Sequence, residues 1–376
     1  MESKLNRKKK KNLITEDMSY GRLIYTQFRK HKAAWAGLLV LVLLYVLVIF
    51  APFFAPYDPQ RRLQIPYAQP QGIHFIDQEG KFHLRPFVYG LKRTTNKETF
   101  KREYTIDPKK TYPIHFFVKG DSYKLWNIIE SDRHLFGAED KKGLIIPFGT
   151  NRLGQDLLSQ TIFGGRISLS IGLIGVFIIT VIGVVIGGIS GYTGGMTDNI
   201  IQRFIEVLRS IPMIPLWMGL AAALPPNWPP FRIFLSVVII ISLFGWTTLA
   251  RVVRGKFISL REEDYVMAAK VSGSSQKQII LKHMIPNFMG YILVNITITI
   301  PTMILGETAL SFLGLGLRPP TISWGVLLRN AQGLQSISLY PWLLIPGIFI
   351  IISVISFNIV GDGLRDALDP YAVTRR

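Results

Sequence analysis

No charged residue occurs between Lys32 and Asp58, and that gap constrains the fold of this chain more than any motif in it. A membrane-crossing helix needs roughly 20 consecutive apolar residues, and residues 33–57 supply that length. The stretch follows a basic cluster, Lys8 to Lys11, which gives the N-terminus the outline of a signal peptide. It is longer than a signal h-region, and its exit, Ala51-Pro52-Phe53-Phe54-Ala55-Pro56, makes a poor cleavage site. It therefore reads as a retained first helix. Five more apolar stretches follow, at about 167–190, 200–224, 231–250, 288–306 and 341–360. In hydrocarbon each backbone amide must be satisfied within its own segment, so all six are expected to be helices. Composition agrees: 49% hydrophobic residues, 33 glycines and a mean hydropathy of +0.30 lie above the norm for soluble domains, and 18% charged residues lie below it.

The net charge of +19 needs a destination, either nucleic acid or the inner face of a membrane. Lys and Arg in the short loops favour the membrane. About ten precede Ala33 and about seven lie in 251–287, whereas 225–230 has none and 307–340 has only Arg318 and Arg329. Both termini are therefore expected on the cytoplasmic side of the membrane. Nucleic acid is not an expected partner, because the basic tail has no interleaved aromatics and no folded basic domain. The long segment 58–148 is also basic, but loops of that length largely escape the charge rule. Within it His74-Phe75-Ile76 and Lys81-Phe82-His83-Leu84, joined by Asp77-Gln78-Glu79-Gly80, read as a hairpin, and 112–120 as a further strand. The chain thus divides into a basic segment 1–32, a first helix 33–57, a β-rich extracytoplasmic insert 58–148 and an all-α membrane domain 149–376.

Enzyme signatures are missing. There is no phosphate-binding Gly-x-x-x-x-Gly-Lys-Ser/Thr, no His-Glu-x-x-His and no Gly-x-Ser-x-Gly. Zero cysteines exclude a disulfide scaffold, a thiolate metal site and a cysteine nucleophile. Four of the six histidines (His74, His83, His115, His134) fall in the insert, where strand or surface positions explain them without a metal. No catalytic residue, metal site or bound cofactor is expected. Intramembrane charge, the usual mark of an ion-coupled carrier, is scarce. Arg203, Glu206 and Arg209 fall at spacing three on the third helix, either as a self-paired interfacial turn or as groups lining a path. Glu307 is either a hydrogen-bonding anchor or a cavity-lining group. Asn295, Thr297 and Thr299 interrupt an apolar face on the fifth helix and either line a pathway or satisfy one another. Gly183, Gly187 and Gly191 repeat at spacing four, which suits close helix packing within the chain or against a partner.

The most informative stretch is 255–287, with no membrane-crossing length. Residues 257–271 read as an amphipathic helix broken by Ser272-Gly273. Ser275-x-x-Gln278 resembles a capping box opening a second short helix, which Pro286 is expected to end. Ala268 and Ala269, small residues read as sharing one face, would make this a knob for a partner's groove; a solvated loop on the lipid headgroups is the plainer alternative.

Here the chain resembles a known family. Ala268-Ala269-x-x-x-Gly273 with Pro286 is similar to the EAA loop of bacterial ABC-importer permeases, although Met267, His283 and Ile285 depart from its pattern. The departures, with Asp264-Tyr265-Val266 ahead of the alanines and Pro286-Asn287 at the close, look like the peptide-importer branch. Four further matches keep the same order: Ala55-Pro56-Tyr57-Asp58-Pro59; Gly149-Thr150-Asn151-x-x-Gly154-x-Asp156 with Gly165-Arg166-Ile167-Ser168; Phe312-Leu313-Gly314-Leu315-Gly316 with Pro319-Pro320 and Ser323-Trp324-Gly325; and the run from Asn358 to Asp369-Pro370. Together they resemble the C-type permease subunit of oligopeptide and dipeptide ABC importers.

That resemblance implies a type I importer permease with about six transmembrane helices. Its partners would be a B-type permease, two cytoplasmic ATPases that use ATP and Mg, an extracytoplasmic peptide-binding protein and surrounding lipid, with peptide as the substrate. Asp264, Tyr265, Ala268, Ala269, Gly273 and Pro286 would form the ATPase-coupling loop. Arg203, Glu206, Arg209, Asn295, Thr299 and Glu307 remain pathway candidates. Nickel permeases share the architecture, and a self-sufficient channel or secondary carrier is the reading from a different class. The topology has a direct check: cysteines placed singly at Lys97 and Lys277 of this cysteine-free chain are expected to label from opposite sides of the membrane. Labelling of both by an impermeant reagent outside intact cells would exclude the six-helix arrangement.

Overall fold

The computed structural model describes residues 20–95, 102–126, 128–140 and 143–368; the lysine-rich start, Lys97 and Asp369-Pro370 lie outside them. An amphipathic helix α1 (Tyr20–Lys30) leads into α2 (Lys32–Ile49), the two joined at His31, whose Nδ1 accepts from the Ala34 amide at 3.1 Å. The first span ends at Ile49, short of the expected Tyr57. Pro52 has no N–H to extend the ladder, and only a separate turn α3 (Ala51–Phe54) follows. The next helix, α4 (Leu157–Thr193), starts ten residues before the apolar stretch because Asp156 caps it there, its carboxylate accepting from the Ser159 amide (2.8 Å) and hydroxyl (2.6 Å). Asp156 is fully buried, and that burial pushes its carboxyl up to about 6 despite the two serine bonds.

The third stretch is not one helix. It divides into α5 (Gly195–Ser210) and α6 (Met213–Ala222), bent by 81°. Pro212 marks the break: it disfavours helical conformation at the residue before it, and Ile211 is extended at φ −87°, ψ 131°. Then come α7 (Pro230–Leu260), α8 (Asp264–Val271), a brief α9 (Gln276–Gln278), a wider π-type turn at Ile279–Met284 and α10 (Ile285–Asn287). The chain closes with α11 (Met289–Phe312), the short α12 (Trp324–Arg329) and α13 (Leu334–Leu339), and α14 (Ile345–Leu368), which a tighter turn (Pro341–Leu344) introduces. Among the described residues five helices are long and apolar enough to cross a membrane, or six if the bent pair counts as one.

Successive spans alternate in direction, so the connections gather at two ends. At one end the insert meets the 313–340 connection: Tyr67 stacks on Tyr340 with centroids 3.9 Å apart, and the Trp342 indole donates to the Thr150 carbonyl at 3.1 Å. At the other end lie α1, the α4–α5 junction, α8 and the end of α14, where His31 faces Asp366 at 3.7 Å. The insert is an antiparallel sheet in the order β1 (His74–Ile76), β2 (Phe82–Thr95), β3 (Arg102–Leu125) and β4 (Ile129–Ala138). The expected hairpin is β1–β2, and the strand expected at 112–120 is the middle of β3. His134 is buried and bridges the Ala55 and Asp121 carbonyls at 2.6 and 2.9 Å. Among the described residues there is no metal-holding group of His, Asp and Glu.

The glycine ladder on α4 packs inside the chain. A Cβ on Gly183 would lie 3.0 Å from Leu249, and one on Gly191 only 2.6 Å from the Arg254 carbonyl oxygen; Gly187 faces the Ala250 backbone just as closely. These backbones of α4 and α7 touch because no side chain separates them. Gly187→Val is therefore expected to destabilise the detergent-solubilised protein by at least about 1–3 kcal/mol through overpacking. Gly255→Ala, on the same α7 but with open space around it, should be neutral or mildly stabilising. Thermal unfolding of the two variants side by side checks this, and equal melting points would refute it.

Candidate coupling segment and transmembrane polar groups

The segment 255–287 begins inside a transmembrane helix: Phe257 to Leu260 continue α7, and the expected long amphipathic helix starts only at Asp264. The turn at Arg261 to Glu263 separates α7 from α8. Val266 and Met284 are buried and pack with Phe257, Ile279, Phe288 and Ile292, so the segment is clamped to the bundle by its own small core. Gly273 ends α8 at φ +78°, a left-handed conformation that suits glycine, with its amide donating to Lys270 at 3.1 Å. The expected capping box is present, the Ser275 hydroxyl accepting from the Gln278 amide and the Gln278 side chain from the Ser275 amide. Pro286 does not end this second helical stretch. It sits at the start of α10, where a missing N–H costs nothing, and the chain turns at Phe288 instead.

Ala268 and Ala269 do not share a face. Ala269 is half-buried against the core under the segment, while Ala268 points out. The outward surface is Asp264, Tyr265, Met267, Ala268 and Val271, the last 86% exposed, with Pro286 and Leu281 beside it. The Asn287 amide ties the two halves together by donating to the Tyr265 hydroxyl at 2.7 Å. The segment thus presents an exposed, largely apolar knob on a packed base.

The other candidates do not converge on one cavity. Arg203 and Glu206 pair at 2.9 Å on the exposed side of α5, and Arg209 donates to the Thr248 hydroxyl on α7 at 3.4 Å. On α11 the Thr299 hydroxyl donates to the Asn295 carbonyl at 2.7 Å, and Thr297 does the same to Val294 at 2.8 Å; both serve their own helix. Glu307 is fully buried. The Ser311 and Ser323 hydroxyls donate to it at 2.7 Å each and that of Ser168 at 3.4 Å. Ser168 in turn accepts from the Trp324 amide at 3.1 Å. In this conformation Glu307 is an anchor that joins α4, α11 and α12.

One pair escaped the sequence reading. Asp198 on α5 takes both Nε and Nη2 of Arg254 on α7 at 2.5 Å, and Ser190 on α4 donates to the same carboxylate at 2.5 Å. Three helices thus meet at one carboxylate just above the coupling segment. Forked Arg–carboxylate bonding fixes orientation as well as distance. The only signal in the sequence was a lone acid between two apolar stretches, with its partner 56 residues away.

The chain is similar in sequence to known proteins. Residues 183–372 match the model of the family described as binding-protein-dependent transport system inner membrane component, and residues 19–71 match the N-terminal TM domain of oligopeptide transport permease C. The oligopeptide transport system permease protein OppC of Bacillus subtilis is 32% identical over 350 residues, covering 92% of this chain and 87% of its own. OppC of Haemophilus influenzae is 46% identical over 224 residues, covering 59% and 70%. The dipeptide transport system permease protein DppC of Bacillus subtilis is 40% identical over 225 residues, covering 59% and 68%. Among solved structures, an inward-facing conformation of the MetNI methionine ABC transporter aligns with a TM-score of 0.43 at 20% identity, over 57% of this chain and 98% of that one. With a family model spanning residues 183–372 and relatives matched over most of their own length, this multi-pass membrane chain belongs to the family of inner-membrane components of binding-protein-dependent transport systems.

Proposed function

We propose that the chain is one permease subunit of an ATP-driven peptide importer. The observation that carries this reading is its similarity along 92% of its length to a curated oligopeptide permease, with an outward-facing knob where such a subunit must receive work. A chain with no phosphate-binding loop of its own draws on ATP through a contact. Two cytoplasmic ATPases, using ATP and Mg, press on α8. A related B-type permease completes the pathway, and an extracytoplasmic binding protein delivers peptide. The end bearing α8 and both termini is cytoplasmic, which the excess of Lys and Arg there supports, and the β-rich insert is extracytoplasmic. Within this reading Asp264, Tyr265, Ala268, Gly273 and Pro286 shape the ATPase contact, while Ala269 holds the knob to its base. Asn295 and Thr299, half-buried on α11, are the better pathway candidates; Glu307 is enclosed and Arg203, Glu206 and Arg209 lie at the helix surface.

The packing decides which variant tests this. Ala269→Arg would disturb the core under the segment, whereas Ala268→Arg alters only the outward surface. A long charged side chain at Ala268 should cost the contact at least about 1–3 kcal/mol, where 1.4 kcal/mol is tenfold. In reconstituted transporter, uptake and binding-protein-stimulated ATP hydrolysis are expected to fall roughly tenfold or more, with the level of chain in the membrane unchanged. Wild-type uptake and hydrolysis in Ala268→Arg would exclude a coupling role for this surface.

A further inference from the structure

The end of the β3–β4 hairpin has an unusual composition for a surface turn: Leu125-Trp126-Asn127-Ile128-Ile129. Leu125 pairs with Ile129 as the last rung of the ladder. Trp126 is 53% exposed, Ile128 81% and Ile129 53%. One rung back stands Lys124 opposite Glu130, their charges 2.7 Å apart, and then Tyr123 opposite Ser131. Further back Lys119 lies 3.7 Å from Asp132. The hairpin is thus graded, with an apolar tip, then a tyrosine and charges that pair with one another.

The fold puts this tip beside the end of α2. The Trp126 ring lies 5.5 Å from that of Phe50, and the Phe117 ring 6.1 Å from that of Phe53. Both aromatics on the hairpin side sit in left-handed backbone, Trp126 at φ +52° and Phe117 at φ +58°, a conformation that bulky residues rarely adopt. The side of α2 that leads to this point is a run of exposed apolar residues, Leu39, Val42, Leu43, Val46 and Ile49. The depth is marked independently by Arg166 of α4, which donates to the last carbonyls of α2, Val48 at 2.9 Å and Ile49 at 3.0 Å. A cation reaching a helix C-terminus at that level marks the edge of the hydrocarbon, and tryptophan and tyrosine concentrate at the same level.

We propose that the β3–β4 tip dips into the lipid bilayer beside α2 and anchors the insert to the membrane surface, with Trp126, Ile128 and Ile129 among acyl chains and Lys124, Glu130 and Tyr123 among headgroups. Lipid is favoured over a protein partner for two reasons. The apolar surface of the tip is continuous with that of a transmembrane helix, and the nearest charges, Lys124 and Glu130, are already paired with each other. The other hairpin, β1–β2, also exposes Phe75, Phe82 and Leu84, but among the described residues no ring contact with a helix end accompanies them, and it is not included. This inference requires only that α2 crosses the membrane; it does not depend on what is transported or on which side the insert lies.

The lack of native cysteine makes the test direct. The full chain, assembled with cysteine-free partner subunits in phospholipid vesicles, is spin-labelled singly at Ile128→Cys, Ile129→Cys, Leu43→Cys on α2 or Leu84→Cys on β2. Collision rates with oxygen, which partitions into lipid, and with a water-soluble nickel chelate are then compared. The Ile128 and Ile129 labels are expected to show an oxygen-to-chelate ratio several-fold above that at Leu84 and below that at Leu43, which lies deeper along α2. A ratio at both tip positions equal to that at Leu84 would place the tip in water and overturn the proposal. Low collision with both reagents would show that protein covers the tip, and would overturn it equally.

Discussion

The contact between α4 and α7 fixes the geometry of everything else. Close backbone approach at Gly187 and Gly191, with the Leu249 side chain seated against Gly183, brings two long helices together along their length, in an environment where van der Waals packing must replace the hydrophobic effect as the force between helices. Because α7 runs on past the apolar stretch to Leu260 and leads straight into α8, the position of the coupling segment is set by this pairing. The Asp198–Arg254 fork lies at the same end and adds α5 to the pair. In the proposed function, a push on α8 reaches a unit of three helices locked by close packing and one carboxylate. A flexible loop in its place would absorb the motion.

The opposite end is organised around a different device. A carboxylate inside a membrane domain is costly unless its oxygens are satisfied. Glu307 meets that condition with three serine hydroxyls drawn from α4, from its own helix and from the start of α12. Ser323 does two jobs, donating to Glu307 and accepting from the Val326 amide as the cap of α12. The Trp324 indole closes the arrangement by donating to the Thr161 carbonyl at 2.9 Å. The connection between α11 and α14 is therefore held in the bundle by a polar network, and the insert rests on it through Tyr67 and Trp342.

Much of this was legible from the chain alone. A charge-free run longer than a bilayer needs no tertiary context to read as a span, and the β1–β2 hairpin and the Ser275 capping box follow from local turn and cap chemistry. Periodicity failed where helices outlast the membrane: α4 and α7 extend well beyond their apolar cores because polar residues form helix as readily as apolar ones. It failed again at Pro212, whose effect on Ile211 was available in the sequence but was masked because the amphipathic residues before it and the apolar residues after it read together as one stretch.

Sequence by itself determined the class of the molecule, the number of apolar stretches, the β-rich insert and the family, since each depends on local composition or on motifs in order. Only the tertiary structure decided that Ala269 faces inward and Ala268 outward, that Glu307 is an enclosed anchor, that Asp198 belongs with Arg254, and that an exposed Trp126 lies at the end of α2. The physical reason is common to all four. Which way a side chain faces, and which charge it meets, is set by the rotation and crossing of helices whose packing faces are defined by contacts far apart along the chain, and no window of sequence contains both sides of such a contact.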